Sequence, residues 1–241
     1  MKAVILAAGE SKRLHPYTID TPKCLLEIGT KPIINHQIDS LKANGIDEIT
    51  IVTGFGADKI RNCIGESCDF VHNENYKETS SIYSLWLAKK NLLGSSFVIL
   101  NSDVFFHPKI MKKLVSFSRE DCITVDYTSI LNEEEMKVKV KDGKVADMSK
   151  SMKPEDADGE NLGLIKFGRE GGKELFKLMD ELIANGKTNE WAPYAFKELA
   201  QYYPLYVVDI GGLPWIEIDF PEDLEKARRK IYEEIKKEEW K

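Results

Sequence analysis

The sequence predicts an α/β protein, and three observations carry that prediction. Lys2–Ala7 is an unbroken apolar, largely β-branched run, the pattern of a strand buried on both faces. Strand and helix patterns then alternate four times in about 130 residues, which calls for right-handed crossovers in a doubly wound sheet. From Met136 the period changes: Met136–Lys141 alternates apolar residues with lysine, turns at Asp142-Gly143 and returns as Lys144–Met148. That is a β-hairpin with one wet face. The predicted architecture is a mostly parallel, Rossmann-like sheet flanked by helices, with an inserted hairpin region.

The elements follow in order. A loop from Ala8 to about Lys23 holds Gly9, Pro16 and Pro22, and Cys24–Ile28 reads as short and extended. Lys31–Asn44 is an amphipathic helix, with Pro32 near its start and Gly45 just past its end. Glu48–Thr53, Asp69–His72, Ser96–Leu100 and Cys122–Thr128 read as strands. Ala57–Ile64, Ile82–Asn91 and Lys109–Ser118 read as the helices between them. After the hairpin come strand Leu162–Phe167, helix Gly171–Ala184 and helix Trp191–Gln201. Strands Leu205–Ile210 and Trp215–Ile218 precede a long charged helix, Pro221–Glu239. The run Lys230–Lys241 reads as a solvated helix face. With no internal repeat or linker, residues 1–241 form one expected domain.

Composition narrows the function classes. At 241 residues, 42% hydrophobic and 31% charged, the chain can bury a core without disulfides. It has no apolar stretch long enough to span a bilayer, and the apolar run at Met1–Ala8 is too short for a signal-peptide core, so a cytoplasmic protein is expected. Against 40 acidic residues stand 34 basic ones, a formal charge of −6 with no basic block, which argues against a nucleic-acid partner. Cys24, Cys63, Cys68 and Cys122 form no Cys-x-x-Cys pair and read as reduced thiols. The four histidines are scattered.

The strongest chemical signal is Leu6-Ala7-Ala8-Gly9-Glu10-Ser11-Lys12-Arg13-Leu14, continuing to Thr21-Pro22-Lys23. It leaves the C-terminal end of a buried strand, where open parallel sheets bind ligands. Small residues let a ligand approach the backbone, and free N–H groups can cradle phosphate oxygens. Arg13 offers a planar fork and Lys23 a movable point charge, both suited to phosphate. This is not a Walker loop: the Gly186-Lys187-Thr188 ending has Glu181 where the first glycine belongs. Gly54-Phe55-Gly56 follows a strand and is a candidate backbone contact through Gly54. Asn101-Ser102-Asp103 follows another strand end, and Glu217-Ile218-Asp219 precedes the last helix. Taken singly, Asp103 is a turn residue and Asp219 a helix cap. Beside a phosphate loop, the two carboxylates suit one Mg²⁺.

These residues resemble the nucleotidyltransferases of the sugar-phosphate nucleotidyltransferase (GT-A-like) fold. That family's pattern is a strand, Leu-Ala-Ala-Gly-x-Gly-x-Arg, then Pro-Lys; this chain departs from it at Ser11, where glycine is common. Two further stretches, Asn73-Glu74-Asn75-Tyr76 with Ser80–Leu85 and Asp158–Phe167, resemble the phosphocholine cytidylyltransferase-like subgroup. The resemblance implies that Leu6, Ala8, Gly9 and Ser11 line the nucleotide, with Ser81 or Ser84 reading the base. Arg13 would hold the β- and γ-phosphates, Lys23 the α-phosphate, and Asp103 and Asp219 the Mg²⁺. Lys150, Glu160, Trp215 and Glu217 would face the acceptor.

The expected reaction joins CTP to a small phosphorylated alcohol or phosphonate (phosphocholine, phosphoethanolamine, 2-aminoethylphosphonate or inositol phosphate) and releases pyrophosphate. About 1–128 would bind the nucleotide, and about 129–241 would bind the acceptor and close the site. A hexose-1-phosphate uridylyl- or thymidylyltransferase and a non-catalytic nucleotide-binding module are the alternatives. Oligomeric state stays open, a homodimer included. Trp86, Trp191, Tyr194, Trp215 and Phe220 carry two readings, core packing or a cage for a trimethylammonium group.

Overall fold

The computed structural model describes residues 1–239, so Trp240 and Lys241 at the end of the charged C-terminal run lie outside the described residues. In chain order the first half comprises β1 (Lys2–Ala7), β2 (Glu27–Ile28), β3 (Lys31–Pro32), α1 (Ile33–Ala43), β4 (Glu48–Thr53), α2 (Ala57–Ile64) and β5 (Asp69–His72). It continues with α3 (Ser81–Leu87), α4 (Lys89–Leu92), β6 (Phe97–Asn101), β7 (Val104–Phe106), α5 (Pro108–Ser116) and β8 (Cys122–Asp126). The second half holds β9 (Lys137–Lys141), β10 (Lys144–Ser149), β11 (Gly159–Phe167), α6 (Arg169–Ala184), α7 (Ala192–Ala200), β12 (Tyr206–Asp209) and β13 (Trp215–Glu217). It ends in α8 (Pro221–Lys226), a π-helical turn over Ala227–Ile231, and α9 (Tyr232–Glu239).

The main sheet runs β5-β4-β1-β6-β11-β8-β12-β10-β9. β5, β4, β1 and β6 are mutually parallel, as the alternation predicts. Beyond β6 the expectation of continued parallel winding needs correction. β11, from the second half, inserts antiparallel between β6 and β8. Its residues are buried throughout, and a strand buried on both faces carries no sequence mark of its direction. β8 then pairs in parallel with β12, and the expected hairpin β9–β10 closes the far edge.

β1 shows why the sheet is apolar on both faces. Ala3, Ile5 and Ala7 pack with α1, α2 and α5, while Val4 and Leu6 pack with α3, α6 and α7. A third cluster joins Leu14, Ile28, Ile33, Phe105, Ile216, Leu224 and Ile235, tying the loop after β1 to the C-terminal helices. The Tyr232 ring lies against Gly29, where any side chain would overlap it: a Cβ would sit 2.1 Å from its Cζ.

Several element boundaries shift from expectation, and Cys24–Leu25, expected to be extended, lie in a 3₁₀ turn that leaves only Glu27–Ile28 as strand. Lys31–Pro32 is a strand, so the first helix starts at Ile33. The Ile82–Asn91 segment divides near Ala88 into α3 and α4. The closing helix is interrupted by its π turn. All four cysteines are free thiols. Among the described residues no helix is long and apolar enough to cross a membrane.

Candidate active site

The loop after β1 opens over the C-terminal ends of the parallel strands. Its tightest point is Ser11, which takes φ 51° and ψ 48°, the left-handed conformation that glycine adopts without strain. Ser11 is fixed there by local bonds: its carbonyl accepts from the Thr18 hydroxyl at 2.8 Å and the Leu14 N–H at 3.1 Å. The neighbouring strand supports the loop from below. Phe55 N–H donates to the Ala8 carbonyl at 3.0 Å, and Gly54 lies so close that a Cβ would meet that oxygen at 2.6 Å and Tyr76 Cβ at 2.7 Å.

Lys23 begins a single 3₁₀ turn and reaches back under the loop. Its Nζ donates to Asp103 Oδ2 at 3.0 Å and to Asp219 Oδ1 at 2.8 Å. These carboxylates meet because β7 and β13 pair antiparallel, Val104 opposite Glu217, with Ile218 N–H donating to the Asp103 carbonyl at 3.1 Å. From the other side Gln37 of α1 donates its buried amide to the carbonyls of Asn101 and Val104, both at 2.8 Å, bracketing the turn that carries Asp103. Asp219 does not cap the last helix. Asp223 does that, accepting from the N–H groups of Asp219 and Phe220. The Asp219 side chain is thereby left for the cations.

Arg13 completes the array. Its guanidinium donates to Asp219 Oδ2 at 2.7 Å and to Glu134 Oε2 at 2.8 Å, and lies over the Phe220 ring at 4.8 Å. Burial alone would lower the pKa of Lys23, but Asp103 and Asp219 outweigh it and hold the ammonium charged. The same balance, set by Asp219 and Glu134, raises Arg13. Burial would raise Asp219, yet Lys23 and Arg13 hold it below the usual carboxylate range.

Glu217 is the odd member. Burial, then repulsion from Asp103 and Asp219, pushes it up to about 8. Carboxylate oxygens of Asp103, Glu217 and Asp219 lie within 4.8 Å of one another. Asp103 Oδ1 is buried and, among the described residues, has no hydrogen-bond partner. Three hard oxygen donors, one of them orphaned, fit a divalent cation of the Mg²⁺ class.

Two cavities share this cluster. The first, about 300 Å³, is lined by Leu6, Ala8, Gly9, Ser11, Arg13, Lys23, Ser81, Ser84, Asp103, Lys150, Glu217 and Asp219. The second, about 490 Å³, is lined by Asp126, Glu134, Glu135, Glu160, Trp215, Glu217, Asp219 and Phe220, among others. The residues expected to face the acceptor therefore divide: Lys150 lies in the first cavity, Glu160 and Trp215 in the second, and Glu217 between them. Gly54 lines neither and sits beneath the loop.

The expected base-reading hydroxyls are partly engaged. Ser81 Oγ accepts from Ala192 N–H at 2.8 Å and Ser84 Oγ from Asn73 Nδ2 at 3.1 Å. The aromatic residues do not converge on one cage. Trp215 and Phe220 line the second cavity and Trp191 the first, while Trp86 packs on the core and donates to Asp180. Trp215 is held by Asp126, whose Oδ2 accepts its Nε1 at 2.8 Å. Burial pushes Glu160 up to about 7, with Glu135 and Asp126 adding to it and a bond from Ser129 opposing.

Thr79 and Pro193 also line the first cavity with no signal in the sequence, and so do Asn101, Asn161 and Met136, which the sequence marks only as parts of a strand end, a subgroup motif and a hairpin. Gln37 is missed as well. The fold brings them together: Asn101 and Asn161 lie on the paired strands β6 and β11, Pro193 on α7, and Gln37 reaches the turn before Asp103 from α1.

An α/β sheet with a glycine-containing loop and two cations set against a carboxylate cluster defines a nucleotidyltransferase. Residues 3–133 match the MobA-like NTP transferase domain, and the chain belongs to that family. Its relatives include the CTP:phosphoglutamine cytidylyltransferase of Campylobacter jejuni, 30% identical over 93% of this chain and 98% of that protein. The choline-phosphate cytidylyltransferase of Streptococcus pneumoniae is also 30% identical, over 99% of this chain and 100% of that one. Among solved structures, the inositol-1-phosphate CTP transferase from T. maritima superposes with a TM-score of 0.82 at 22% identity, covering 98% of this chain and 95% of that one.

Proposed function

We propose that this enzyme transfers the cytidylyl group of CTP to the phosphate or phosphonate of a small acceptor, with Mg²⁺ as cofactor and pyrophosphate as the second product. The observation that carries this reading is Lys23 held between Asp103 and Asp219 beneath the Ala8–Gly9 loop, with Arg13 beside it. The activities for which the two relatives at 30% identity are named support the choice of CTP and of a small phosphorylated acceptor.

The chemistry follows from charge. An acceptor oxygen attacks the α-phosphorus in line, the new O–P bond forms, and the bond to the β-phosphate oxygen breaks. Both partners are anions, so catalysis is mostly positioning and neutralisation. In this reading the loop backbone seats the nucleotide, Arg13 grips the β- and γ-phosphates, and Lys23 steadies the α-phosphate. Asp103 and Asp219, with Glu217 beside them, would hold the divalent cation, which supplies charge neutralisation to the triphosphate. An ionised acceptor phosphate needs no general base, which agrees with the lack of a His or Cys nucleophile in either cavity lining among the described residues other than Cys24. Cys24 is held as a thiol by burial, pushed up to about 12.

The test is pyrophosphate release with Mg²⁺, crossing five nucleoside triphosphates with phospho-alcohols, phosphonates and hexose 1-phosphates. Turnover confined to CTP and a small phospho-alcohol or phosphonate is expected. Turnover with UTP or dTTP and a hexose 1-phosphate would replace this reading with the sugar-nucleotide one.

A further inference from the structure

Arg13 has both arms of its fork engaged by carboxylates, Asp219 on one and Glu134 on the other. A phosphate that takes this fork must displace one of them. Asp219 is the poorer candidate, since it also accepts from Lys23 and its side chain is only 16% exposed. Glu134 is 56% exposed, and its only ion pair among the described residues is with Arg13.

Glu134 sits in the loop between β8 and β9, which is braced internally. Glu134 N–H donates to Asn132 Oδ1 at 2.8 Å, Asn132 N–H donates to Glu135 Oε2 at 2.7 Å, and the buried Lys137 donates to the Asn132 carbonyl at 2.6 Å. These bonds tie Glu134 to the rest of its loop. Ser129, Ile130, Asn132, Glu134 and Glu135 of this same loop form one wall of the second cavity.

From these contacts we infer that Glu134 is a counter-carboxylate which the triphosphate displaces from Arg13, and that its release moves the loop that walls the second cavity. The free enzyme keeps the Arg13 fork aimed and neutralised over Phe220. Nucleotide arrival then changes the shape of the adjoining cavity through one ion pair. Glu134 is a positioning residue here: it acts through Arg13. The inference rests on the proposed phosphate-binding role of Arg13.

The experiment compares CTP binding by calorimetry in wild type, Glu134→Gln, Glu133→Gln and Arg13→Ala, with amide hydrogen exchange of residues 129–136 measured with and without CTP. Glu133 is an exposed neighbour and controls for the change in net charge. Glu134→Gln should tighten CTP binding about two- to five-fold beyond Glu133→Gln, the size of an exposed ion pair. CTP should raise exchange in 129–136 of the wild type, and Glu134→Gln should show the raised level without CTP. A merely structural role would weaken binding instead. If Arg13→Ala weakens CTP binding while Glu134→Gln matches its control, the coupling is overturned and the phosphate-clamp reading stands. If Arg13→Ala binds CTP as wild type does, both fall.

Discussion

Lys23 and Asp219 lie 196 positions apart in the chain, yet the ammonium nitrogen is 2.8 Å from the carboxylate oxygen. The contact is largely withdrawn from water, with 10% and 16% of the two side chains exposed. A lysine so placed must be neutralised by anions, from the protein or from a ligand.

Replacing it with the apolar Met separates these two sources. Lys23→Met should lower kcat about 100- to 1000-fold, the usual loss when one charge-stabilising donor is removed. Its melting temperature in EDTA should also fall, because Asp103, Glu217 and Asp219 then repel one another with only Arg13, on Asp219, left to offset them. Adding Mg²⁺ should restore much of that loss. Melting curves that do not respond to Mg²⁺ would count against a divalent site on these carboxylates.

Glu217 and Glu160 predict a pH dependence of a definite sign. Both carboxyls have folded pKa values above the ordinary value of 4.5, at about 8 and about 7. Between these limits the folded state binds more protons than the unfolded one, so stability falls as pH rises. The contribution is full below about 4.5 and is lost as pH passes through 7 and then 8. Thermal melts of the metal-free protein from pH 5 to 9 should show this decline, and Glu217→Gln should flatten its upper part. A wild-type melting temperature that climbs over this range would contradict the assignment.

Gln37 holds the turn before Asp103 rather than touching any ligand. Gln37→Leu leaves the Asn101 and Val104 carbonyls without their amide donor, at a cost of about 1–3 kcal/mol. Because Asp103 is then less firmly placed, affinity for a divalent cation should drop by about tenfold. Mn²⁺ titration followed by electron paramagnetic resonance reads this directly. Unchanged Mn²⁺ affinity in a folded variant would limit Gln37 to packing.

Ser11 predicts an asymmetry between two substitutions. Its left-handed backbone is free of strain for glycine and costs a β-branched residue about 1–2 kcal/mol or more. Ser11→Gly should therefore stay within about 1 kcal/mol of wild type and keep its activity, while Ser11→Val should lose both stability and nucleotide affinity. Denaturant melts with CTP titrations would show whether the order is reversed.

How far the sequence foretold this molecule depends on whether a signal is local. β1, the loop after it and the hairpin were legible because periodicity and turn chemistry are written in adjacent residues. The two aspartates were legible too, each at the end of a recognisable strand. The direction of β11 was not, since a fully buried strand looks alike either way. Gln37 escaped for a different reason. A buried amide that serves another segment has no neighbours in sequence to announce it. The split of Lys150 and Glu160 between two cavities likewise depends on β9 pairing with both β10 and β11, which no spacing encodes.

The short β7–β13 ladder also bears on how the protein is made. Residues up to about 128 can emerge from the ribosome and pair β5, β4, β1 and β6 in parallel while β13 is still untranslated. During that interval Lys23 has Asp103 but not Asp219, and β6 exposes the edge that β11 will later cover. A nascent chain stalled there would present an open strand edge and a half-neutralised lysine, and an unpaired edge of that kind is prone to pair with other chains. Vectorial synthesis thus pairs Lys23 with Asp103 early and leaves its second carboxylate to a segment about 200 residues further along the chain.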